Sequence, residues 1–152
     1  MTRYRKVAVG GTFDKFHKGH EALISTAFNV AEEVLIGVTS DDFASYKDHQ
    51  IQPCHMRIAH LRRIADSFNV KYTIKEITDA NGTADVDEEL DAIVVSQETE
   101  QSAVHINEIR LINGLNPLDI IVIEWVLADD DIPISSTRIR KGEIDMDGNL
   151  VY

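Results

Sequence analysis

The fold of this chain is decided by residues 7–20, which read VAVGGTFDKFHKGH. The first three residues form a short apolar run. Gly10 and Gly11 follow without a Cβ, so the backbone can turn sharply there and a bulky polyanion can come close to its amides. From Gly19 onward the apolar residues lie on one helical stripe: Ala22, Leu23, Ala27 and Val30. A glycine turn between a strand and a helix N-terminus predicts a phosphate site, because the first-turn N–H groups have no intrahelical partner and the helix dipole favours negative charge.

Two histidines lie where that charge would be bound. His17 and His20 are three residues apart, so they flank the first turn of a helix that begins near Lys18 and can point at one object. A phosphate fits this arrangement better than zinc does, because no nearby cysteine or obvious carboxylate completes a tetrahedral set. A strand–turn–helix junction with incidental histidines is the plain structural alternative. It accounts for any two of these features but hardly for all of them together.

Two segments resemble the signatures of the nucleotidylyltransferase superfamily. Residues 11–14 (GTFD) and 17–20 (HKGH) are similar to its first signature, which contains His-x-Gly-His. Residues 134–140 (ISSTRIR) match its second signature, Ile-Ser-Ser-Thr-x-x-Arg, in full. The resemblance implies transfer of a nucleotidyl group from a nucleoside triphosphate to a phosphate or alcohol, with pyrophosphate as the leaving group.

The same resemblance implies catalytic roles for three residues. His20 would donate a hydrogen bond to the α-phosphate as charge builds in the transition state. His17 would support the triphosphate, and Thr12 would hold the acceptor oxygen or the α-phosphate. Asp14 matches the signature as well, and we expect it to buttress the turn through hydrogen bonds to the backbone.

Further residues would bind the rest of the ATP molecule. Arg140, with the backbone and hydroxyl groups of Ser136 and Thr137, would grip the β- and γ-phosphates. The glycines of the first motif would let the phosphates approach the backbone: Gly10, Gly11 and Gly19.

Over most of its length the chain is most similar to the archaeal type of phosphopantetheine adenylyltransferases. The similarity rests on residues 7–14 (VAVGGTFD), 94–99 (VVSQET), 106–110 (INEIR) and 133–145 (PISSTRIRKGEID). It implies that AMP from ATP is joined to 4′-phosphopantetheine to give dephospho-coenzyme A, with Mg²⁺ neutralising charge. Residues 78–110 depart from the bacterial enzyme of the same activity, so no contact to adenine or pantetheine is inferred there.

The motifs define the type of reaction more closely than they define the acceptor molecule. The resemblance places Lys47 where a lysine reaches the acceptor's phosphate, while the plain alternative is a solvated surface lysine. Nicotinamide mononucleotide is the alternative acceptor, because other nucleotidylyltransferases share both motifs. A nucleotide-binding regulator without turnover is a third hypothesis, disfavoured because His17, His20, Thr137 and Arg140 are all present.

The composition predicts one cytoplasmic domain spanning residues 1–152. A chain of 152 residues is long enough for one hydrophobic core, and no apolar run approaches the roughly 18 residues of a membrane span. The single cysteine, Cys54, fits a reducing compartment and is expected to be a packing residue.

A net charge of −11 argues against a nucleic-acid partner. Basic residues nevertheless cluster in or beside the two motifs: Lys15, Lys18, Arg138, Arg140 and Lys141. The sequence does not indicate an oligomeric state.

Alternating apolar runs and helical patterns predict a doubly wound, Rossmann-like α/β fold, with five parallel strands and helices on both faces. The predicted strands are Arg5–Val9, Glu33–Thr39, Lys71–Ile77 at a sheet edge, Ala92–Ser96 and Asp119–Glu124. Because both motifs follow strands, we expect them at the same edge of the sheet.

Four helices are predicted between or after these strands. The first spans residues 18–31, the third runs from Thr99 or Ser102 to about Asn113, and a short fourth helix begins at Ser135. The second begins with Pro53 as its first residue, with Met56, Ala59, Ile64 and Ala65 inward and Arg57, Arg62 and Arg63 on other faces. Residues 40–52 are predicted to be a surface loop, and residues 78–91 a solvated loop with a short acidic helix.

Overall fold

A computed structural model describes residues 4–45, 51–79 and 81–151. Within these ranges one sheet contains five strands: β1 (Tyr4–Gly11), β2 (Ala31–Thr39), β3 (Lys71–Ile77), β4 (Ala92–Val95) and β5 (Asp119–Val122). All neighbouring strands are parallel, and their order is β3-β2-β1-β4-β5. The predicted doubly wound fold is confirmed, as is the edge position of β3.

The described helices are α1 (Lys18–Val30), α2 (Asp41–Ser45), α3 (Cys54–Ala65), α4 (Glu100–Ile112) and α5 (Ser136–Arg140), with a 3₁₀ turn at Asp66–Phe68. None of the helices in the described part of the chain is both long and apolar enough to span a membrane.

Two apolar clusters lie on opposite faces of the sheet. Val7 and Val9 of β1 point to one face, where Ile24 of α1 and Leu61 of α3 pack. The alternating strand positions point to the other face, where α4 packs; this cluster includes Ala8, Leu35, Ile93, Ala103 and Ile106. Strands β1 and β2 are therefore covered on both sides, which explains their nearly continuous apolar sequence.

The connections reverse direction between β1 and β4. The crossovers through α1 and α3 lead from β1 to β2 and then to β3, whereas the crossover through α4 leads from β4 to β5 on the other side. In such sheets the crevice outside the carboxyl ends of the strands, at this switch point, binds ligands. The loop that carries the first motif leaves the end of β1 at that crevice.

Two predicted loop regions differ from the structure. Residues 40–52 contain the short helix α2, whose first turn is capped by the Ser40 hydroxyl accepting from the N–H of Phe43 at 3.2 Å. The described residues between 81 and 91 form turns without a helix. The reason is that the carbonyl oxygens of Ala84 and Asp87 accept hydrogen bonds from the buried Arg110, at 2.8 and 2.9 Å.

Helix α3 faces the sheet with a different side from the one predicted. Pro53 is its N-cap residue, and its buried residues are Cys54, Arg57, Leu61 and Ala65. Met56 is 49% exposed and Ala59 is also exposed, so these two inward assignments were wrong. The outward assignment of Arg57 was also wrong: its side chain turns inward to bind the carbonyl groups of Thr12, just after β1, and of Thr39, the last residue of β2.

Candidate active site

His17 and His20 cap helix α1 reciprocally. Nδ1 of His17 accepts from the backbone N–H groups of Gly19 at 3.0 Å and His20 at 3.4 Å. In return, Nδ1 of His20 accepts from the N–H of His17 at 3.4 Å. This is a capping box in which two imidazoles take the places of the usual Ser or Thr and Glu. Because a neutral imidazole that accepts at Nδ1 carries its proton on Nε2, the cap leaves each ring with one Nε2–H donor.

Burial keeps both imidazoles neutral. The two rings stack with their centroids 3.8 Å apart, and Phe13 and Phe16 pack against His20 at centroid distances of 5.3 and 5.4 Å. Desolvation lowers the pKa of His17 to about 4. Desolvation, with a smaller contribution from His17, lowers the pKa of His20 to about 3. At neutral pH the pair is therefore a source of uncharged, oriented donors.

Gly19 is required by the cap itself. A Cβ at this position would lie 2.8 Å from Cε1 of His17, closer than real Cβ contacts allow. Any larger residue would push the His17 ring away from the N–H groups that it caps. The glycine of the first motif thus has a structural role in addition to the predicted approach of phosphate.

The sharp turn after β1 does not occur at the predicted glycines. Gly10 and Gly11 are the last two residues of β1, and the left-handed backbone conformation lies further on, at Phe13 (φ 55°) and Lys15 (φ 50°). A bulky residue with positive φ is strained, so surrounding contacts must hold it in place. The Phe13 ring, 3% exposed and packed on His20, supplies such contacts.

Asp14 joins the two sequence motifs. Its Oδ2 accepts from Nη1 of Arg140 at 2.9 Å, and its carbonyl oxygen accepts from the Ser136 hydroxyl at 2.6 Å. Its Oδ1 accepts from the backbone N–H of Gln52, also at 2.9 Å. The predicted buttressing of the backbone is present, but the ion pair to Arg140 was not foreseen.

The two arginines of the second motif bind different parts of the protein. Nη2 of Arg140 donates to the Thr137 hydroxyl at 3.3 Å, which keeps the guanidinium beside the first motif. Arg138 instead forms ion pairs with Asp130 and Glu143 and anchors the turn before α5. Of these two arginines, Arg140 is the one that contacts the first motif.

Thr12 is bound by two residues that the sequence analysis did not assign to the site. The Thr39 hydroxyl donates to Oγ1 of Thr12 at 3.1 Å, and Nη1 of Arg57 donates to the Thr12 carbonyl at 2.9 Å. The signal for Arg57 was its spacing, because it lies four residues before Leu61 and eight before Ala65 on one helical stripe.

The structure gathers most of the predicted site residues at the carboxyl end of β1. Those brought together are Thr12, His17, Gly19, His20, Ser136, Thr137 and Arg140, with Gly10 and Gly11 at the end of the strand. Lys47 lies outside the described residues. The roles of all these residues stay predictions.

A cavity of about 200 Å³ lies on the α4 face of the sheet, and among the predicted site residues that the structure describes Gly10 contributes to its lining. Its floor includes Gly10 of β1 and Gly37 of β2, and the side chain of Ile77 lies over Gly37. Its walls come from the end of β3, residues 81–84 and Ile106 of α4. Both apolar and polar groups line it, so it suits a ligand with alkyl and amide parts.

The helix cap uses one nitrogen of each of the two histidines. Both Nδ1 atoms already accept backbone hydrogen bonds. Among the residues that the structure describes, no group of three His, Cys, Asp or Glu side chains could hold a metal ion. The neutral histidines at the N-terminus of α1, with Arg140 beside them, are suited to bind a polyphosphate.

Fold and site together define a nucleotidyltransferase-type α/β domain, and comparison with known proteins gives its family. The model of the cytidylyltransferase-like family matches residues 8–142, so the chain belongs to the cytidylyltransferase-like family. It is 52% identical over 149 residues to the phosphopantetheine adenylyltransferase of Methanothermobacter thermautotrophicus, covering 98% of this chain and 91% of that protein.

Two further similarities agree with this assignment. The phosphopantetheine adenylyltransferase of Methanosarcina acetivorans is 46% identical over 150 residues, which cover 95% of each chain. A crystal structure of a protein of unknown function from Archaeoglobus fulgidus superposes with a TM-score of 0.72 at 32% identity, covering 78% of this chain and 88% of that one. The predicted relationship to the archaeal enzymes is confirmed.

Proposed function

We propose that this protein is a phosphopantetheine adenylyltransferase, which joins AMP from ATP to 4′-phosphopantetheine and releases pyrophosphate and dephospho-coenzyme A. The observation that carries the proposal is the 52% identity, over nearly the whole chain, to a protein of that name. The geometry of the site also supports nucleotidyl transfer, because two neutral histidines cap the N-terminus of α1 and Arg140 is held beside the same motif.

His20 is the residue to which we assign stabilisation of the transition state. Nucleotidyl transfer needs the acceptor oxygen in line with the α-phosphorus and donors aimed at the oxygens that gain charge. The Nε2–H of His20 is such a donor, and its ring is immobilised by stacking on His17 and by the N–H bond to its Nδ1. A donor that is already oriented requires no reorganisation when charge develops.

The remaining ATP contacts come from both motifs. Arg140, Ser136 and Thr137 would bind the β- and γ-phosphates, with His17 completing the triphosphate site. Asp14 holds Arg140 at this position through their ion pair. A triphosphate bound there would share the guanidinium with Asp14, since the fork of an arginine has several donors.

The acceptor would occupy the other side of the crevice. Its phosphate would lie between Thr12 and Lys47, near the α-phosphate of ATP. Its pantetheine arm, an extended chain with amide groups, would enter the cavity that begins at Gly10, where Asn81 and Thr83 offer polar atoms. This arrangement would assign an occupant to the cavity that Gly10 shares with the proposed phosphate site.

Magnesium enters the proposal as part of the substrate, MgATP. The described residues offer no cluster of carboxylates for it, and Mg²⁺ is commonly held by substrate phosphates and water. It would neutralise phosphate charge, and we assign no step to a protein-bound ion.

We also propose that the enzyme works as a single cytoplasmic domain without a nucleic-acid or membrane partner, in keeping with its acidic charge and its one buried free cysteine, Cys54.

The proposal is tested by a panel of acceptors. Pyrophosphate release should be measured with ATP, Mg²⁺ and either 4′-phosphopantetheine or nicotinamide mononucleotide. We expect kcat/KM to be far higher with phosphopantetheine. A preference for nicotinamide mononucleotide would overturn the acceptor while leaving nucleotidyl transfer intact, and no release with any acceptor would favour a regulator without turnover.

A further inference from the structure

Arg57 is a fully buried cation beneath the candidate active site. It lies on the inner side of α3 with 1% of its surface exposed. Its guanidinium binds oxygens from separate stretches of chain: the carbonyls of Thr12, Thr39 and Gln52, the Thr39 hydroxyl and the Asp41 carboxylate. Its contacts with Thr12 and Gln52 place it next to the residues that bind substrate in the proposed function.

Burial of a charge does not by itself favour an arginine at this position. Taking a guanidinium out of water costs several kcal/mol, and replacing a buried charge pair by apolar residues is often neutral or stabilising. The carboxylate partner Asp41 is 63% exposed at its side chain, so it compensates the charge only in part. An apolar side chain could fill the volume, but it could not bind the carbonyl groups.

The bonds of Nη1 extend the pairing of β1 with β2. The last paired residues of these strands are Gly11 and Val38. Nη1 donates to the carbonyls of the next two residues, Thr12 at 2.9 Å and Thr39 at 2.8 Å. The same two residues are joined by their hydroxyls. Arg57 thereby sets the distance between the strand ends at the point where Thr12 faces the crevice.

The hydrogen bond of Arg57 Nε is the first of three contacts that connect Arg57 with the second motif. Nε donates to the Gln52 carbonyl at 2.7 Å, and the Gln52 N–H donates to Asp14 at 2.9 Å. Asp14 in turn pairs with Arg140. A continuous set of hydrogen bonds therefore runs from Thr12 through Arg57 to the arginine of the second motif.

We propose that Arg57 is a positioning residue for nucleotidyl transfer, which fixes Thr12 relative to Asp14 and the α3 side of the site without touching substrate. The kinetic consequence rests on the proposed function, but the structural consequence does not. Because misalignment of reacting groups mainly slows the chemical step, the loss should appear in kcat rather than in ATP binding.

The kinetic test compares two buried arginines. Arg57→Met should lower kcat at saturating substrates by about 10- to 100-fold, the scale typical for lost supporting contacts, while the Kd of ATP changes less than about threefold. Arg57→Lys keeps the charge but not the planar fork, so it should recover only part of the rate. Arg110→Met is the matched control: Arg110 is 2% exposed and binds the carbonyls of Ala84, Asp87 and Asn116 instead. Because Ala84 also lines the cavity proposed for the acceptor, the KM for the acceptor is expected to rise in this control, but kcat at saturating substrates should stay within about twofold.

A milder variant keeps the inference testable if Arg57→Met does not fold. Thr39→Val removes the hydroxyl that contacts both Thr12 and Arg57. It should lower kcat about three- to tenfold, as expected for one lost hydrogen bond. Unchanged kcat in folded Arg57→Met or in Thr39→Val would overturn the proposal, as would an equal loss in Arg110→Met.

Hydrogen exchange separates this inference from the proposed function. In Arg57→Met, or in Arg57→Lys if the first variant is unfolded, amides in residues 10–16 and 38–44 should exchange faster, while those in residues 92–112 should not. Uniformly faster exchange, or no change near Thr12, would contradict the positioning role. If the wild-type protein failed to convert phosphopantetheine, the proposed function would fail, and the exchange pattern would still decide the role of Arg57.

Discussion

Asp14 and Arg140 form an ion pair across 126 residues of sequence, with 2.9 Å between Oδ2 and Nη1. The carboxylate is 2% exposed, so the pair lies inside the protein where water screens it little. Each residue belongs to one of the two motifs. The ion pair therefore holds the two distant signatures next to each other.

Asp14→Asn should destabilise the free enzyme and make it more responsive to ATP. The variant keeps an oxygen for the Gln52 N–H but removes the charge that balances Arg140. Breaking an ion pair in this setting should cost about 2–4 kcal/mol of unfolding free energy. Because triphosphate can then replace the missing charge, ATP should raise the melting temperature of the variant by more than it raises that of the wild type.

Asp130→Asn is the control for this experiment. Asp130 pairs with Arg138, the other arginine of the second motif, outside the proposed triphosphate site. Its loss should also reduce stability, but the shift on adding ATP should equal that of the wild type. Equal ATP responses in both variants would contradict the assignment of Arg140 to the triphosphate.

His20→Ala should lower kcat by about 10²- to 10³-fold, as when one oriented donor to a developing oxyanion is lost. ATP binding, measured by titration calorimetry, should change far less. His60→Ala provides the comparison, because His60 packs on Phe16 and is exposed. Its kcat should stay within about twofold of the wild type. Near-normal turnover in His20→Ala would mean that His20 is only a helix cap.

Stability should rise with pH between about pH 4 and 6.5. The pKa values of His17 and His20 are lowered to about 4 and about 3 in the folded protein, against about 6.5 in an unfolded chain. In this window the unfolded chain binds more protons, so stability is full above it and is lost as the pH falls through it. Urea unfolding at several pH values would measure the slope.

Two variants show whether the histidines cause this slope. His17→Asn retains a good N-cap residue that does not titrate, so its stability should depend less on pH than that of the wild type. His105→Asn changes an exposed histidine on α4 and should leave the slope unaltered. A slope that His17→Asn does not reduce would rule out the buried pair as its origin.

Lys47→Ala should raise the KM for the acceptor and leave ATP affinity within about threefold, because one charge-assisted contact is lost. This prediction rests on sequence resemblance, since Lys47 lies outside the described residues. Lys71→Ala removes a surface lysine on β3, 76% exposed at its side chain, and should change neither constant. Equal weakening of both substrates, or of neither, would remove Lys47 from the acceptor site.

The sheet and the position of the site could be predicted from sequence because their signals are local. Strand β2 is a nearly continuous apolar run, as expected for a parallel strand covered on both faces. The first motif combines a strand end with a helix start, so its place at the carboxyl edge of the sheet could be predicted without knowing the strand order. His17 and His20 were identified for the same reason, although their reciprocal capping was not.

The unforeseen features depend on contacts between distant residues. The inward side of α3 is set by Arg57, whose partners Thr12 and Thr39 are 45 and 18 residues away. The turns after residue 81 depend on Arg110, which is 26 residues from Ala84. Arg57 shares a helical stripe with Leu61 and Ala65, but a periodicity analysis counts an arginine as an outward residue, so the spacing alone did not assign it to the inner side.

Transfer of the α-phosphate of ATP is the central claim, and isotope labelling tests it most directly. The enzyme should be incubated with 4′-phosphopantetheine and ATP that is labelled either at the α- or at the γ-phosphate. We predict that the α-label appears in dephospho-coenzyme A and the γ-label in pyrophosphate. Label from the γ-phosphate in the acceptor product, or no labelled product joined to phosphopantetheine, would contradict the account.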